Sequence, residues 1–360
     1  MNVVVIGAGV VGCAVAHELA ARGAAVRLLD MRDVGQGATR ASAGVLCPHI
    51  EGHAAPLLAL GTRSLDLYDG FIARVREDSG EAVEYRRTGT LEVALTDEEA
   101  AALRAQAARH AASGLEHRYL DGREARDLEP ALSASVAGAL LVPAHGYVGV
   151  QGLTRALAAA AVGRGATFER VPAIRRVAQD GAHVLVDDSH ADAVVIAAGS
   201  WSQGISAAGT HPPVKPIRGQ LLHLGFSTPP ASRVIWGADC YLVPWESGSL
   251  LVGATVEDVG FDEGATAAGV RDLLDGACEL LPAAWSAWFH EVRVGLRPAT
   301  PDELPIIGRS SRAPGVVYAT GHYRNGVLLA PLTAAAVADL VLEGRETPEV
   351  AVTSPERFGL

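Results

Sequence analysis

Lysine is almost missing from this chain: Lys215 stands alone beside 29 arginines. Schiff-base chemistry through lysine therefore has one candidate, and Pro216 next to it marks an ordinary loop. Cysteine is scarce and scattered. Cys13, Cys47, Cys240 and Cys278 form no CxxC pair, which argues against zinc, iron–sulfur and disulfide frameworks and for a reducing compartment. Positive charge is in deficit, with a net charge of −11, so nucleic acid and anionic membrane are not expected partners. No uninterrupted apolar stretch reaches the ~18 residues of a membrane span. The apolar N-terminal run lacks the basic region of a signal peptide. A cytoplasmic protein is expected. Cys47, His49, Glu51 and His53 share a loop, but no partner cluster accompanies them and no metal is expected.

Glycine is abundant, with 40 residues, and its first use is the most informative. The apolar run Val3-Val4-Val5-Ile6 feeds straight into GAGVVG at 7–12, and a second apolar run closes on Asp30. This spacing predicts a strand, a tight turn and a helix that holds the pyrophosphate of a dinucleotide. Gly7 permits the turn, Gly9 lets the backbone approach the phosphates, and Gly12 lets helix and strand pack closely. The helix N-terminus favours negative charge. Asp30 ends the second strand, where a carboxylate accepts ribose hydroxyls and repels a 2′-phosphate. These features alone do not separate NAD from FAD.

At 360 residues the chain is long for one core. Periodicity predicts helices at 10–21, 62–79, 152–164, 268–280 and 327–342. Thr96-Asp97-Glu98-Glu99 forms a capping box for a further helix running to about Ala112. Strand-like runs fall at 84–95, 167–171, 184–186, 193–197, 217–224, 241–244, 250–254 and 316–319. Strand–helix alternation at both ends with strand-rich stretches between predicts an α/β fold. One discontinuous dinucleotide domain carries a sheet-rich insertion.

Four further segments point to a family. They are GATRASAG at 37–44, AVVIAAGSWS at 193–202, GLRPATPD at 295–302 and ATGHYRNGVLLAP at 319–331. With GAGVVG they resemble the D-amino-acid oxidase superfamily of flavoproteins, most closely the glycine oxidases of the thiamine-synthesis type. The resemblance implies a discontinuous FAD-binding Rossmann-like domain (1–80, 145–215 and 295–360). It joins a smaller α+β substrate domain with an antiparallel sheet (81–144 and 216–294). Gly7, Gly9, Gly12 and Asp30 would hold pyrophosphate and ribose. Thr39, Ala43 and Gly44 would run beside the pyrophosphate and flavin, Val171 would meet the adenine end through its backbone, and Gly199 would let its turn approach the cofactor. Arg324, Asn325 and Gly326 would stand at the mouth of the last helix, whose positive end stabilises the negative charge of reduced flavin. Relatives with covalent FAD carry a cysteine before the TPD-like stretch. None stands at 296–302, so non-covalent FAD is expected.

Flavin oxidation of an amino acid needs chiefly orientation and desolvation. An arginine fork suits the substrate carboxylate. The resemblance assigns that clamp to Arg297, joined by the Tyr241 hydroxyl, with Arg324 near the flavin. Three pocket positions depart from the glycine-oxidase pattern: Val45 and Val256 replace methionines, and Asp239 replaces a histidine. The expected activity is FAD-dependent oxidation of a small amino acid to the imino acid, with O2 giving hydrogen peroxide. Glycine, a D-amino acid or an N-substituted glycine would be substrate. The alternatives are a D-amino-acid dehydrogenase passing electrons to a quinone or carrier, and a non-catalytic flavin-binding subunit of a heteromeric oxidase. The expected partners are small molecules, with homo-oligomerisation left open.

Overall fold

Strand Asn2–Ile6 lies inside a six-stranded sheet, which explains why every residue from Val3 to Ile6 is apolar and buried. Side chains alternate across the sheet. Val3 and Val5 face a layer of helices, whereas Val4 and Ile6 face a small mixed sheet. The order across the main sheet is Ile306–Arg309, Val316–Thr320, Ala193–Ile196, Asn2–Ile6, Ala25–Asp30 and Thr167–Arg170. All pairs are parallel except the first. Helices Val10–Ala21, Ala55–Ser79, Val150–Gly163 and Ala330–Ala338 pack on one face. The strands of 176–191 and Ser206–Ala207 cover the other. The computed structural model describes residues 1–50, 54–187 and 189–360. Glu51 and His53 lie outside the described residues.

The second large sheet has eight strands. Its order runs Trp288–Ala299, Lys215–Gly225, Ser249–Gly253, Tyr241–Pro244, Val234–Trp236, Thr90–Ala94, Gly138–Val142 and Arg118–Asp121. Only the pairing of Val234–Trp236 with Thr90–Ala94 is parallel. Alternation again divides the faces. Leu222, Leu224, Leu242, Leu250 and Val252 pack with helix Ala267–Leu280, while Leu221, Val243 and Leu251 face the other way. Gly219, Tyr241, Gly253, Gly295 and Arg297 share that second face by register. Strand Trp288–Ala299 runs across position 294/295, the point where the sequence places a domain boundary. One strand thus carries Arg297 from the edge of the large sheet toward the dinucleotide fold.

The Thr96–Glu99 capping box is present, and helix Asp97–Ser113 follows it. The last helix differs from expectation. It starts at Ala330 rather than Val327 and passes after Ala338 into a π-helical turn ending at Gly344. Pro331 sits in its first turn, where a missing N–H costs nothing. Residues Asn325–Leu328 form a turn instead, held by hydrogen bonds from helix Ala55–Ser79. Tyr68 Oη donates to Val327 O at 2.7 Å, and Ser64 Oγ donates to Leu328 O at 2.6 Å.

Candidate active site

Every residue that the resemblance assigns to the cofactor or substrate, except Gly12, lines one cavity of about 790 Å³. Gly12 stands behind it, where an added Cβ would fall 1.8 Å from Gly7 O. Its role is close packing, as its place in the turn requires. Gly7 has φ +112°, and a Cβ there would meet Ala197 O at 2.4 Å. Helix Val10–Ala21 begins after Gly9 with no side-chain cap. The Thr39 hydroxyl accepts from Val10 N at 3.1 Å and so fixes the 37–44 loop beside the helix start.

Asp30 is already engaged: Oδ2 accepts from Ala8 N at 2.6 Å and Oδ1 from Arg32 N at 2.8 Å. Each oxygen keeps a second lone pair, which suits two ribose hydroxyls. Val171 donates its N–H to Asp30 O at 2.9 Å, so its carbonyl is the backbone group left for the adenine end. Gly199 has φ +53° and accepts a hydrogen bond from Thr320 Oγ1. Ala43 is buried, and Gly44 packs against Val148 O. A helix start with no cap from Gly9 itself, a glycine-lined approach and a carboxylate at the second strand end together fit the pyrophosphate and adenosine ribose of FAD.

The other end of the cavity is built from the large sheet. Arg297 lies over Gly219 on the neighbouring strand, where a Cβ would sit 2.4–2.5 Å from three guanidinium atoms. Its Nη1 donates to Thr255 O at 2.8 Å. The strand itself is pinned on both sides of Arg297. Ser200 Oγ donates to Leu296 O at 2.8 Å, and Tyr323 N donates to Pro298 O at 2.8 Å. Tyr241 lies over Gly253 on its neighbour in the same way, with a Cβ there 2.5 Å from the ring and the hydroxyl. Trp236 stacks on the far side of that ring, with centroids 4.8 Å apart. Arg297 and Tyr241 therefore reach inward from the two flanks of a pair of strands that glycine has cleared. Sequence reasoning missed Gly219, Gly253 and Trp236. The glycines interrupt apolar runs, but their meaning depends on which side chain register places opposite them.

Val45 is half-buried on the cavity wall, whereas Val256 is 54% exposed and Asp239 is exposed at the mouth. Arg324 is exposed at the rim, with its guanidinium 5.6 Å from the Tyr323 ring. Asn325 is buried in the turn and Gly326 follows it. His322, fully buried, donates to or accepts from Thr333 Oγ1 at 3.0 Å, and burial pushes its pKa down to about 4. It stays neutral beside the cofactor space.

Cys47 pairs with Thr90 Oγ1 at 2.8 Å, and His49 Nδ1 with His145 Nε2 at 2.9 Å. Among the described residues no group of three or more His, Cys, Asp or Glu is placed to hold a metal. His49, His110 and His145 cluster instead, and burial lowers the pKa of each below 6.5; neighbouring cations add to the effect, His110 on His49, His117 and Arg109 on His110, and His49 and His110 on His145. The native state holds them neutral while the unfolded chain binds protons below about pH 6.5. Stability from this cluster is therefore complete above that pH and is lost as pH falls toward the native pKa values. A thermal-unfolding series from pH 7.5 to 5.5 should show Tm falling with acidity. A His145→Asn variant should flatten the slope, and an equally steep slope in that variant would contradict the assignment.

The chain belongs to the DAO family of FAD-dependent oxidoreductases, whose family model matches residues 2–340. FAD is accordingly its cofactor, and the α/β fold expected from the sequence is borne out. The chain is 36% identical over 357 residues to a bifunctional ThiO/ThiG protein of Nostoc sp. (strain PCC 7120), covering 96% of this chain and 53% of that protein. It thus spans about half the length of that relative. It is 34% identical to a glycine oxidase of Geobacillus kaustophilus, covering 96% and 94% of the two chains. A crystal structure of glycine oxidase from that organism matches with a TM-score of 0.93 over 98% of this chain and 97% of the other. Iminodiacetate oxidase from Chelativorans sp. BNC1 matches with a TM-score of 0.90 at 27% identity, covering 98% of each chain. Among the described residues, no helix is long and apolar enough to cross a membrane.

Proposed function

We propose that this protein is an FAD-dependent oxidase of small amino acids, acting on glycine or an N-substituted glycine. The observation that carries this reading is the convergence of Arg297 and Tyr241 over strands cleared by Gly219 and Gly253, at the end of the cavity away from the dinucleotide turn. The relatives named for glycine and iminodiacetate oxidation support it. Bound FAD supplies a hydride acceptor for the substrate Cα and a route for the electron pair to O2, giving hydrogen peroxide. Arg297 binds the substrate carboxylate through its planar fork and the Tyr241 hydroxyl adds a second contact. Gly7, Gly9, Asp30, Thr39, Ala43, Gly44, Val171, Gly199, Asn325 and Gly326 hold the cofactor, and Arg324 guards the rim. The imino acid then hydrolyses to a 2-oxo acid and ammonia. The reading includes a cytoplasmic location, consistent with four buried cysteines, none of them in a disulfide among the described residues. Oxygen consumption matched by one peroxide per substrate tests the oxidase assignment. Substrate-dependent flavin bleaching without peroxide would instead define a dehydrogenase.

FAD is held without a covalent bond in this reading. Cys47 and Cys240 border the cavity, but both are buried, and burial pushes the Cys240 thiol up to about 12. Acid precipitation should leave intact FAD in the supernatant. Colour retained by the precipitate would contradict the claim.

Val45 and Val256 leave space where long thioethers would stand, and Asp239 adds negative charge at the mouth. We therefore expect an N-substituted glycine or a larger D-amino acid, one bearing a polar or cationic group, to surpass glycine. A methylene accommodated in an apolar pocket sets a preference of up to ~10–200-fold. The Val45→Met, Val256→Met double variant should move the kcat/KM ratio back toward glycine. Wild-type preference for glycine over sarcosine, D-alanine and D-proline would refute the widened pocket.

A further inference from the structure

We propose that the Arg218–Glu257 ion pair, buried at its arginine and half-buried at its carboxylate, positions the substrate-binding guanidinium of Arg297 through Thr255. The inference rests on the reading that Arg297 binds the substrate carboxylate. Arg218 and Gln220 flank Gly219 on strand Lys215–Gly225, so alternation sends their side chains away from the cavity while Arg297 lies over Gly219. The segment 254–257 wraps between these two sides. Ala254 and Val256 line the cavity, and Glu257 turns to the opposite side to meet Arg218.

The connection is continuous. Glu257 Oε2 accepts from Arg218 Nη2 at 2.5 Å and Nε at 3.2 Å. Its Oε1 accepts from Gln220 Nε2 at 2.8 Å and from the Thr255 hydroxyl at 2.6 Å. The same hydroxyl accepts from Gln220 N at 2.9 Å, and the Arg218 and Glu257 backbones exchange both hydrogen bonds. Thr255 is therefore fixed at its side chain from two directions. Its carbonyl receives Arg297 Nη1 at 2.8 Å, and Arg218 O receives the same nitrogen at 3.5 Å. One edge of the fork is spent on these carbonyls, and they set the plane in which the rest of it faces the cavity.

Arg218 is 4% exposed and Glu257 is half-buried, so their pairing is screened less by salt than a surface pair. A buried ion pair contributes little net stability against an apolar replacement, because desolvation offsets attraction. What the arrangement supplies is a fixed direction. Burial alone would raise the Glu257 pKa, but the hydrogen bonds from Arg218, Gln220 and Thr255 hold it down at about 2. The carboxylate therefore stays charged throughout the working range of an enzyme.

The test is a double-mutant cycle on the holoenzyme, read by the flavin absorbance change on titration with glycolate, a carboxylate that is not oxidised as an amine. Thr255→Val and Glu257→Gln should each weaken glycolate binding about tenfold. FAD affinity should be unchanged. In an Arg297→Ala background the same substitutions should cost less than about twofold, because the group they position is gone. Thr255→Ser should restore binding. Thr255→Val carries the test by itself if Glu257→Gln does not fold, since it leaves the ion pair in place. Full additivity with Arg297→Ala, or wild-type binding in Thr255→Val, would overturn the proposal while leaving the Arg297 reading intact. Unchanged glycolate binding in Arg297→Ala alone would instead overturn that reading.

Discussion

Arg297→Ala should lower kcat/KM for amino-acid oxidation by about 2–5 kcal/mol, or roughly 30- to 5,000-fold, the scale of removing one partner from a desolvated charge pair. FAD content should stay at the wild-type level, because the residues proposed to meet pyrophosphate and ribose lie at the other end of the cavity. The guanidinium rests over Gly219, and its strand is held at Leu296 O and Pro298 O. Truncation therefore removes the clamp without loosening the strand. Arg297→Lys should recover only part of the loss, since an ammonium is a point charge and lacks the fork. Steady-state kinetics with glycine and sarcosine checks both variants. Wild-type turnover in Arg297→Ala would move the clamp elsewhere, with Arg324 as the first candidate.

Gly9→Val should give a folded protein with no flavin. The two other glycines of the turn are unsuited to this test. A Cβ at Gly7 or Gly12 would strike main-chain oxygen at 2.4 or 1.8 Å and damage the fold itself. Gly9 differs, because the single atom within 4 Å of its added Cβ is the Thr39 hydroxyl, at 3.2 Å. A branched side chain there projects into the space the pyrophosphate needs. Its absorbance spectrum should lack the visible flavin bands while far-ultraviolet circular dichroism stays unchanged. A yellow Gly9→Val protein would show that the cofactor does not pass this turn.

The parts of the molecule legible in the sequence are those whose physics is local. The strand Asn2–Ile6, its glycine turn and helix Val10–Ala21 are encoded within about twenty residues, and so is the Thr96–Glu99 capping box. A second capping box, Asp121 with Glu124, was equally readable and starts a helix not expected from periodicity, because that helix has only seven residues. The long edge strand Trp288–Ala299 was read only as a motif around Arg297. Its first residues are exposed and lack alternation, and its partner is the distant strand Lys215–Gly225. Gly219 and Gly253 acquire their role only through register, which sets one under the Arg297 guanidinium and the other under the Tyr241 ring. Likewise, nothing within the last helix announces that Ser64 and Tyr68 hold the turn before it. Motif spacing placed the cofactor turn. Cross-strand geometry, absent from spacing, built the end of the cavity that carries Arg297 and Tyr241.

The most direct measurement mixes purified holoenzyme with glycine, sarcosine, D-alanine and D-proline without oxygen and follows flavin absorbance in a stopped-flow cell. At least one of these should bleach the flavin fully in a single phase whose rate saturates with substrate. Arg297→Ala should need a much higher concentration to reach the same rate. A flavin that stays oxidised with every amino acid tested, in a protein that binds FAD normally, would contradict the account.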